Sequence, residues 1–183
     1  MVDKEKINID TFKIVTKAIA ESDDLEMMAG RLCQLLIAAL EIKGCTIFML
    51  NPDEEELEVL ASFGLSAKYM GKGPVSADKS LGCTLAGEPV IVSDVSKGKG
   101  LQYPKEAKEE GIKAIISIPL MFLGDPIGVL RLYHHQNWDI SERDLDSLII
   151  LGENIALAMR YTSLSNAAKT LNDVIKGLPF NMD

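Results

Sequence analysis

At 183 residues, 47% of them apolar, the chain is long enough to bury a sizeable core and short enough that one domain is the default. Its 27 carboxylates against 19 lysines and arginines leave a net charge of −8, which repels phosphate backbones and argues against nucleic acid as a direct partner. Met1-Val2-Asp3-Lys4-Glu5-Lys6 has no signal-peptide core, and no run approaches the ~20 apolar residues of a membrane span, so a cytoplasmic protein without membrane contact is expected.

Phe12, Val15 and Ile19 form a short helical stripe, and residues 1–22 read as an N-terminal helix. Asp23 with Glu26 offers a capping box, after which Leu25, Met28, Ala29, Leu32, Leu36, Ala39 and Leu40 recur at helical spacing up to Lys43-Gly44. Cys45 to Asn51 and Leu57 to Leu65 read as two strands joined by the acidic turn Asp53-Glu54-Glu55-Glu56. A short apolar helix around Cys83 is broken by Gly87-Glu88-Pro89, which launches the strand Val90-Ile91-Val92; this strand closes at Asp94 before a Gly/Lys/Ser loop. Pro104 to Glu110 has proline in its first turn, where a missing N–H costs little, and Gly111 just past its end. Ala114 to Ile118 is a buried strand stopped by Pro119, and Gly124-Asp125-Pro126 turns the chain into a last strand, Ile127 to Tyr133.

Ser141 and Asp144 cap a long final helix, with Ile140 and Leu145 placed as a hydrophobic staple. It runs through Leu148, Leu151, Ile155 and Met159 with no breaker before Gly177 and Pro179. From Leu157 the apolar positions Tyr161, Leu164, Ala168, Leu171, Ile175 and Leu178 follow at spacings 4, 3, 4, 3, 4, 3. A heptad stripe that continues past the domain cannot be buried by the domain's own sheet, so a homodimer through the terminal helices is expected. The competing reading folds this helix back on the N-terminal helix of its own chain. Lys169 and Lys176 are both basic, so charge pairing selects no strand orientation.

The order turn, strand, loop, helix, strand, turn, strand from Leu81 to Tyr133, preceded by the hairpin of Cys45 to Leu65, resembles the GAF domain, a sensory fold of signalling proteins. The resemblance covers residues 23–162. It implies an α+β fold: a mostly antiparallel sheet of about six strands, N- and C-terminal helices on one face, and short helices and loops forming a pocket on the other. Residues 163–183 then become a C-terminal helical extension. The implied function is a small-molecule-binding sensory module in signal transduction, with binding coupled to the terminal helices and a signalling protein as a further partner. Because such domains take cyclic nucleotides, haem, bilins, amino acids or no known ligand, the ligand and any cofactor stay open.

In that fold the ligand lies between one sheet face and the segment corresponding to Tyr69 to Gly111. Polar residues on buried-looking strands are informative there, because a buried hydroxyl or charge needs a partner and a ligand can supply one. Thr46, Phe48, Ser62, Ser117 and Arg131 are the strand candidates; Thr84, Asp94, Leu101 and Tyr103 complete the expected set. Arg131, between Leu130 and Leu132, could hold a carboxylate or phosphate by paired hydrogen bonds; alternatively it reaches solvent or a local carboxylate. Asp94 is otherwise an ordinary turn residue.

Specific signatures are mostly missing. The cyclic-nucleotide relatives carry an Asn-Lys pair, then Phe and Asp, where this chain has Leu101 and Lys105; bilin attachment uses a cysteine commonly beside a histidine, whereas Cys83 precedes Thr84. His134 and His135 are adjacent at a strand end, so their side chains should point to opposite faces and cannot hold one metal together without a bend; a single haem ligand stays open beside the reading as a polar strand end. Cys33, Cys45 and Cys83 form no pair at metal or redox spacing, and the odd count fits a reducing compartment. Gly71-Lys72-Gly73 lacks the spacing of a phosphate loop. No catalytic residue or metal ligand is therefore expected. Two rival readings are a cysteine-dependent reductase of the free methionine sulfoxide type, which would need Cys83 reactive although Leu101-Gln102-Tyr103-Pro104 holds no cysteine, and a structural dimerisation module with its pocket packed shut.

Overall fold

The computed structural model describes residues 7–51, 56–73, 75, 82–97 and 101–177. Asn8 caps the first helix, α1 (Ile9–Ala20), by accepting from the amides of Asp10 and Thr11. The cap of α2 (Leu25–Leu40) is Asp24, which accepts from Met27 N at 2.8 Å, so the expected box at Asp23 is one residue early; the Asp23 carboxylate instead lies 3.7 Å from Lys169 Nζ. The helix stops at Leu40, short of Lys43, because Glu41 turns left-handed at φ 53°. The hairpin β1 (Gly44–Asn51) and β2 (Glu56–Phe63) follows. After it come two one-turn helices, α3 (Ala67–Met70) and α4 (Gly82–Leu85), then β3 (Val90–Val92), α5 (Pro104–Glu109), β4 (Ala114–Phe122), β5 (Asp125–His134) and α6 (Glu142–Gly177). The expected acidic turn at Asp53-Glu54-Glu55 lies outside the described residues.

The strands form one antiparallel sheet in the order β2-β1-β5-β4-β3. Five strands among the described residues correct the expectation of six: the described chain between β2 and β3 makes α3 and α4 instead. Pro119 does not stop β4. β3 pairs only with Ile115 to Ser117, so β4 has no ladder bond to lose on that edge at Pro119, and the strand continues to Phe122. The reversal into β5 is made by Leu123 and Gly124, at φ 54° and 90°, between the paired Phe122 and Asp125, one residue earlier than expected.

Strand alternation gives the sheet two different faces. Cys45, Ile47, Ile116, Ile118, Leu120, Leu130 and Leu132 point to one side, where they form the main core with Met28, Leu32 and Leu36 of α2, Val15 and Ala18 of α1, and Leu148, Leu151, Ile155 and Met159 of α6. The terminal helices thus share one face, as expected. Gly152 lets α6 lie close on β4: a Cβ there would come within 3.0 Å of the Ile118 side chain and 3.1 Å of the Pro119 carbonyl. Gly128 serves β1 against β5 in the same way, since a Cβ would fall 2.2 Å from the Phe48 carbonyl. At the start of α6, Ser141 Oγ accepts from Asp144 N at 3.1 Å, and the buried Asp144 carboxylate accepts from Ile7 N at 3.1 Å. Ile140 and Leu145 pack on the core beside them.

Past Met159 the helix continues without a break, one side still held to the domain by the buried Thr162, whose hydroxyl lies 4.0 Å from Met28 Sδ, and by Lys169 beside Asp23. Leu157, Tyr161, Leu164, Leu171 and Ile175 are each more than half exposed, so α1 of the same chain does not cover the stripe. Leu178 lies outside the described residues. Among the described residues no helix is long and apolar enough to cross a membrane.

Candidate functional site

The sheet face turned away from the terminal helices carries a polar row. Ser117 of β4 pairs with Arg131 of β5, Arg131 with Thr46 of β1, and Thr46 with Ser62 of β2, so four strands place one polar side chain each in a single line. Arg131 Nε donates to Ser117 Oγ at 3.0 Å, and Arg131 is only 5% exposed. The hydroxyls of Thr46 and Ser62 hydrogen-bond at 3.0 Å, and Ser62 Oγ also reaches Met70 Sδ at 3.3 Å. Phe48 continues this face, its ring centre 6.0 Å from Arg131 Cζ.

Above the row stand aromatic rings and a second cation. Tyr133, two residues along β5 from Arg131, meets Tyr69 of α3 edge to face at 5.9 Å. Lys72 Nζ lies 3.8 Å over the Tyr69 ring and 5.7 Å from that of Tyr103, and donates to Tyr69 O at 3.1 Å. Burial, and next the Arg131 charge, pull the Lys72 ammonium down to about 8, against the opposing pull of Glu106 and Glu110. Burial likewise raises the phenols of Tyr69 and Tyr133 above their ordinary range. Tyr69 and Lys72 open onto a cleft of about 450 Å³ between α3 and α5, bordered by Ser66, Glu106 and Glu110. Glu110 is held by Ser66 and by Lys43, 3.5 Å away.

The remaining expected residues divide. Leu101 packs among Tyr69, Ile115 and Tyr133. Tyr103 Oη accepts from Gln102 Nε2 at 3.1 Å and closes on the backbone at Gly73, where a Cβ would come within 2.8 Å of it. Thr84 is fully buried on α4, and its hydroxyl has no hydrogen-bond partner among the described residues. Asp94 is not drawn to the row. Its carboxylate accepts from Ser96 N at 2.9 Å and Ser96 Oγ at 2.6 Å and lies 3.4 Å from Lys97, bonds that lower its proton affinity. It borders a separate groove of about 560 Å³ with Pro104, Lys105 and Lys108.

Three residues at the site escape sequence reasoning: Tyr69 as a ring, Lys72 and Tyr133. The available signals were a lysine between two glycines just after a one-turn helix, and a tyrosine two positions from Arg131 on one strand face. Two expectations about reactive groups also change. β5 ends at His134 and the chain bends at His135, so the two rings stack at 4.7 Å and do not point apart; His134 Nδ1 accepts from Gln136 N at 3.0 Å. Cys33 and Cys45, twelve positions apart, are neighbours in space, and burial together with the Cys33 thiol pushes the Cys45 thiol up. The side chain of Cys83 lies outside the described residues, and among those described no group of three or more His, Cys, Asp or Glu stands as a metal site.

The family model described as GAF domain matches residues 22–160. Among solved structures, the GAF domain from a phosphoenolpyruvate-protein phosphotransferase of Coxiella burnetii aligns with a TM-score of 0.78 at 18% identity, covering 90% of this chain and 99% of that one. The GAF domain of an Acinetobacter phosphoenolpyruvate-protein phosphotransferase aligns at 0.73 and 18% identity, covering 91% and 99%. A free methionine-R-sulfoxide reductase from Neisseria meningitidis, in complex with its substrate, aligns at 0.71 and 18% identity over 85% and 89%. At such identities the likeness shows the fold alone. No curated protein sequence matches the chain.

Proposed function

The chain belongs to the GAF domain family, whose members are in general small-molecule-binding sensory and regulatory modules, and from that premise we propose that it senses a small molecule on the Arg131 face of its sheet and signals through α6. The buried row Ser117-Arg131-Thr46-Ser62 carries this reading. Burying polar side chains is costly, and the opposite sheet face shows that the chain can fill these strands with Ile and Leu where only packing is required. A route outward also exists. Ser117 faces the row while Ile116 and Ile118, its neighbours on β4, belong to the core that α6 covers, and Gly152 of α6 leaves no room for a side chain over Ile118. A ligand that shifts β4 therefore moves the base of α6. The output surface is the exposed stripe from Leu157 to Ile175, proposed to meet a second copy of the chain.

The cysteine-dependent reductase reading has less support. The reading needs Cys83 as its nucleophile, and the loop at 101–104 has no cysteine to work with it; Cys83→Ala should leave ligand binding intact, whereas methionine sulfoxide reduction that disappears in this variant would favour the reductase. The direct test of sensing is native mass spectrometry of the purified protein. A retained small molecule lost on denaturation is the expected result. No retained mass, together with no stabilisation across a thermal-shift screen of common metabolites, would refute it.

A further inference from the structure

Apart from the sheet face, we propose that the groove between α5 and the start of β4 is a second binding site, which takes a small molecule with two or more negative charges on phosphate groups, held by Lys105, Lys108 and Lys113. All three lysines border this groove of about 560 Å³, and none of them makes an ion pair among the described residues. In a chain with 27 carboxylates against 19 lysines and arginines, three such lysines around one groove run against the composition. α5 sorts its charges accordingly. Lys105 and Lys108, three apart, border the groove, whereas Glu106 and Glu109, also three apart, border the cleft toward α3, where Glu109 accepts from Lys68 at 2.7 Å. Asp94 is the one carboxylate on the groove among the described residues, and it is engaged: one oxygen accepts from Ser96 N and Oγ, and the other lies 3.4 Å from Lys97 Nζ.

The walls of the groove are tied together by backbone bonds. Lys113 N donates to His134 O at 2.8 Å, and its carbonyl accepts from Val95 N at 2.7 Å; Ile112 N donates to Ala107 O of α5 at 2.9 Å. Trp138 N donates to Ser93 O at 3.1 Å, which holds Asn137 at the rim. Val95 and Ile112 give the groove a buried apolar floor and belong to the cluster of Tyr69, Leu101 and Tyr133. The volume is that of a small-molecule site. No arginine borders it among the described residues, so recognition rests on point charges with rotatable donors, which suit a phosphate better than the planar fork that a carboxylate matches. No residue of the polar row or of the α3 cleft lines this groove, so the two sites are separate.

The test titrates the full chain with inorganic pyrophosphate and with citrate at matched ionic strength, by calorimetry and by amide chemical-shift mapping. Pyrophosphate should bind with a Kd below about 1 mM and more tightly than citrate. The largest shifts should fall on Ser96, Lys108, Ile112, Lys113 and Asn137. Lys105→Gln, Lys108→Gln and Lys113→Gln should each weaken binding about twofold to fivefold, and the triple variant about tenfold or more. Lys17→Gln on α1, an equal loss of charge, should leave binding unchanged. All three groove lysines are exposed, so their variants should fold as wild type does. No binding of pyrophosphate, tighter binding of citrate, equal weakening by Lys17→Gln, or largest shifts on the Arg131 face would each overturn the proposal. Tighter binding of hexaglutamate than of pyrophosphate would also overturn it, by making the groove a docking surface for an acidic protein segment.

Discussion

Ser117 touches Arg131 through one bond, which makes it the mildest probe of the buried row. Ser117→Ala leaves Arg131 Nε without that acceptor while changing little volume, and should cost about 1–3 kcal/mol, measured by urea unfolding. A cost below ~0.5 kcal/mol would mean that Arg131 gains nothing from the pair. Lys72 behaves differently. Its proton is held less tightly in the folded chain, at about 8, than at the ordinary value of 10.5, so between these values the unfolded chain binds more protons and stability rises with pH. Below about 8 the buried charge is a constant burden. Lys72→Met should therefore be no less stable than wild type at pH 7 and should lack part of the rise toward pH 10. Unfolding midpoints of both proteins across that range decide the point; parallel curves would place Lys72 in water.

At the scale of elements, α6 has two faces with different partners. Leu148, Leu151, Ile155 and Met159 pack on the sheet, whereas Leu157 opens a stripe on the other side. Ile150, half exposed and seven residues before Leu157, extends it one heptad upstream, with Asn154 at the intervening core position. Leucine at every seventh position, 157, 164 and 171, is the pattern that two-stranded coils use. Leu164→Asp with Leu171→Asp should cost association about 2 kcal/mol or more per site and yield a folded monomer by light scattering and circular dichroism. Wild type already monomeric at micromolar concentration, or a dimer that survives the double substitution, would remove the stripe from the interface. Because both positions project from the sheet, the melting temperature of the monomeric domain should change little.

For the molecule as a whole, the segment leading into α1 meets the first turn of α6 where the buried Asp144 accepts from Ile7 N. That bond ties the entry to α1 to the base of α6, the helix proposed to carry the signal. Asp144→Ala removes both the acceptor and a first-turn charge, and should cost about 1–2 kcal/mol. Hydrogen exchange should then quicken first in α1, while β4 and β5 keep their protection. Uniform quickening would instead mark Asp144 as part of the global core.

Much of the fold was legible in the sequence because its signals are local. The Pro104 start and Gly111 stop of α5, the hairpin of β1 and β2, and the long unbroken α6 each follow from periodicity and a few turn residues within one or two turns of chain. Local signals misled where a neighbour overrode them: Pro119 is tolerated inside β4 because β3 is short, and His135 leaves the strand pattern because the chain bends there. The site was legible only in part. Arg131, Ser117, Thr46 and Ser62 stood out one by one as polar residues on apolar strands.

The sequence by itself determined the order and kind of the elements, the GAF resemblance and the heptad stripe, since these depend on residues close together in the chain. The tertiary structure alone decided that four polar residues from four strands form one row, that Lys72 and Tyr69 cover it, that Asp94 turns to Ser96 and Lys97, and that Cys33 meets Cys45. Register sets those contacts: a slip of one residue on any strand would send its polar side chain to the helix-covered face, and register depends on the packing of the whole sheet.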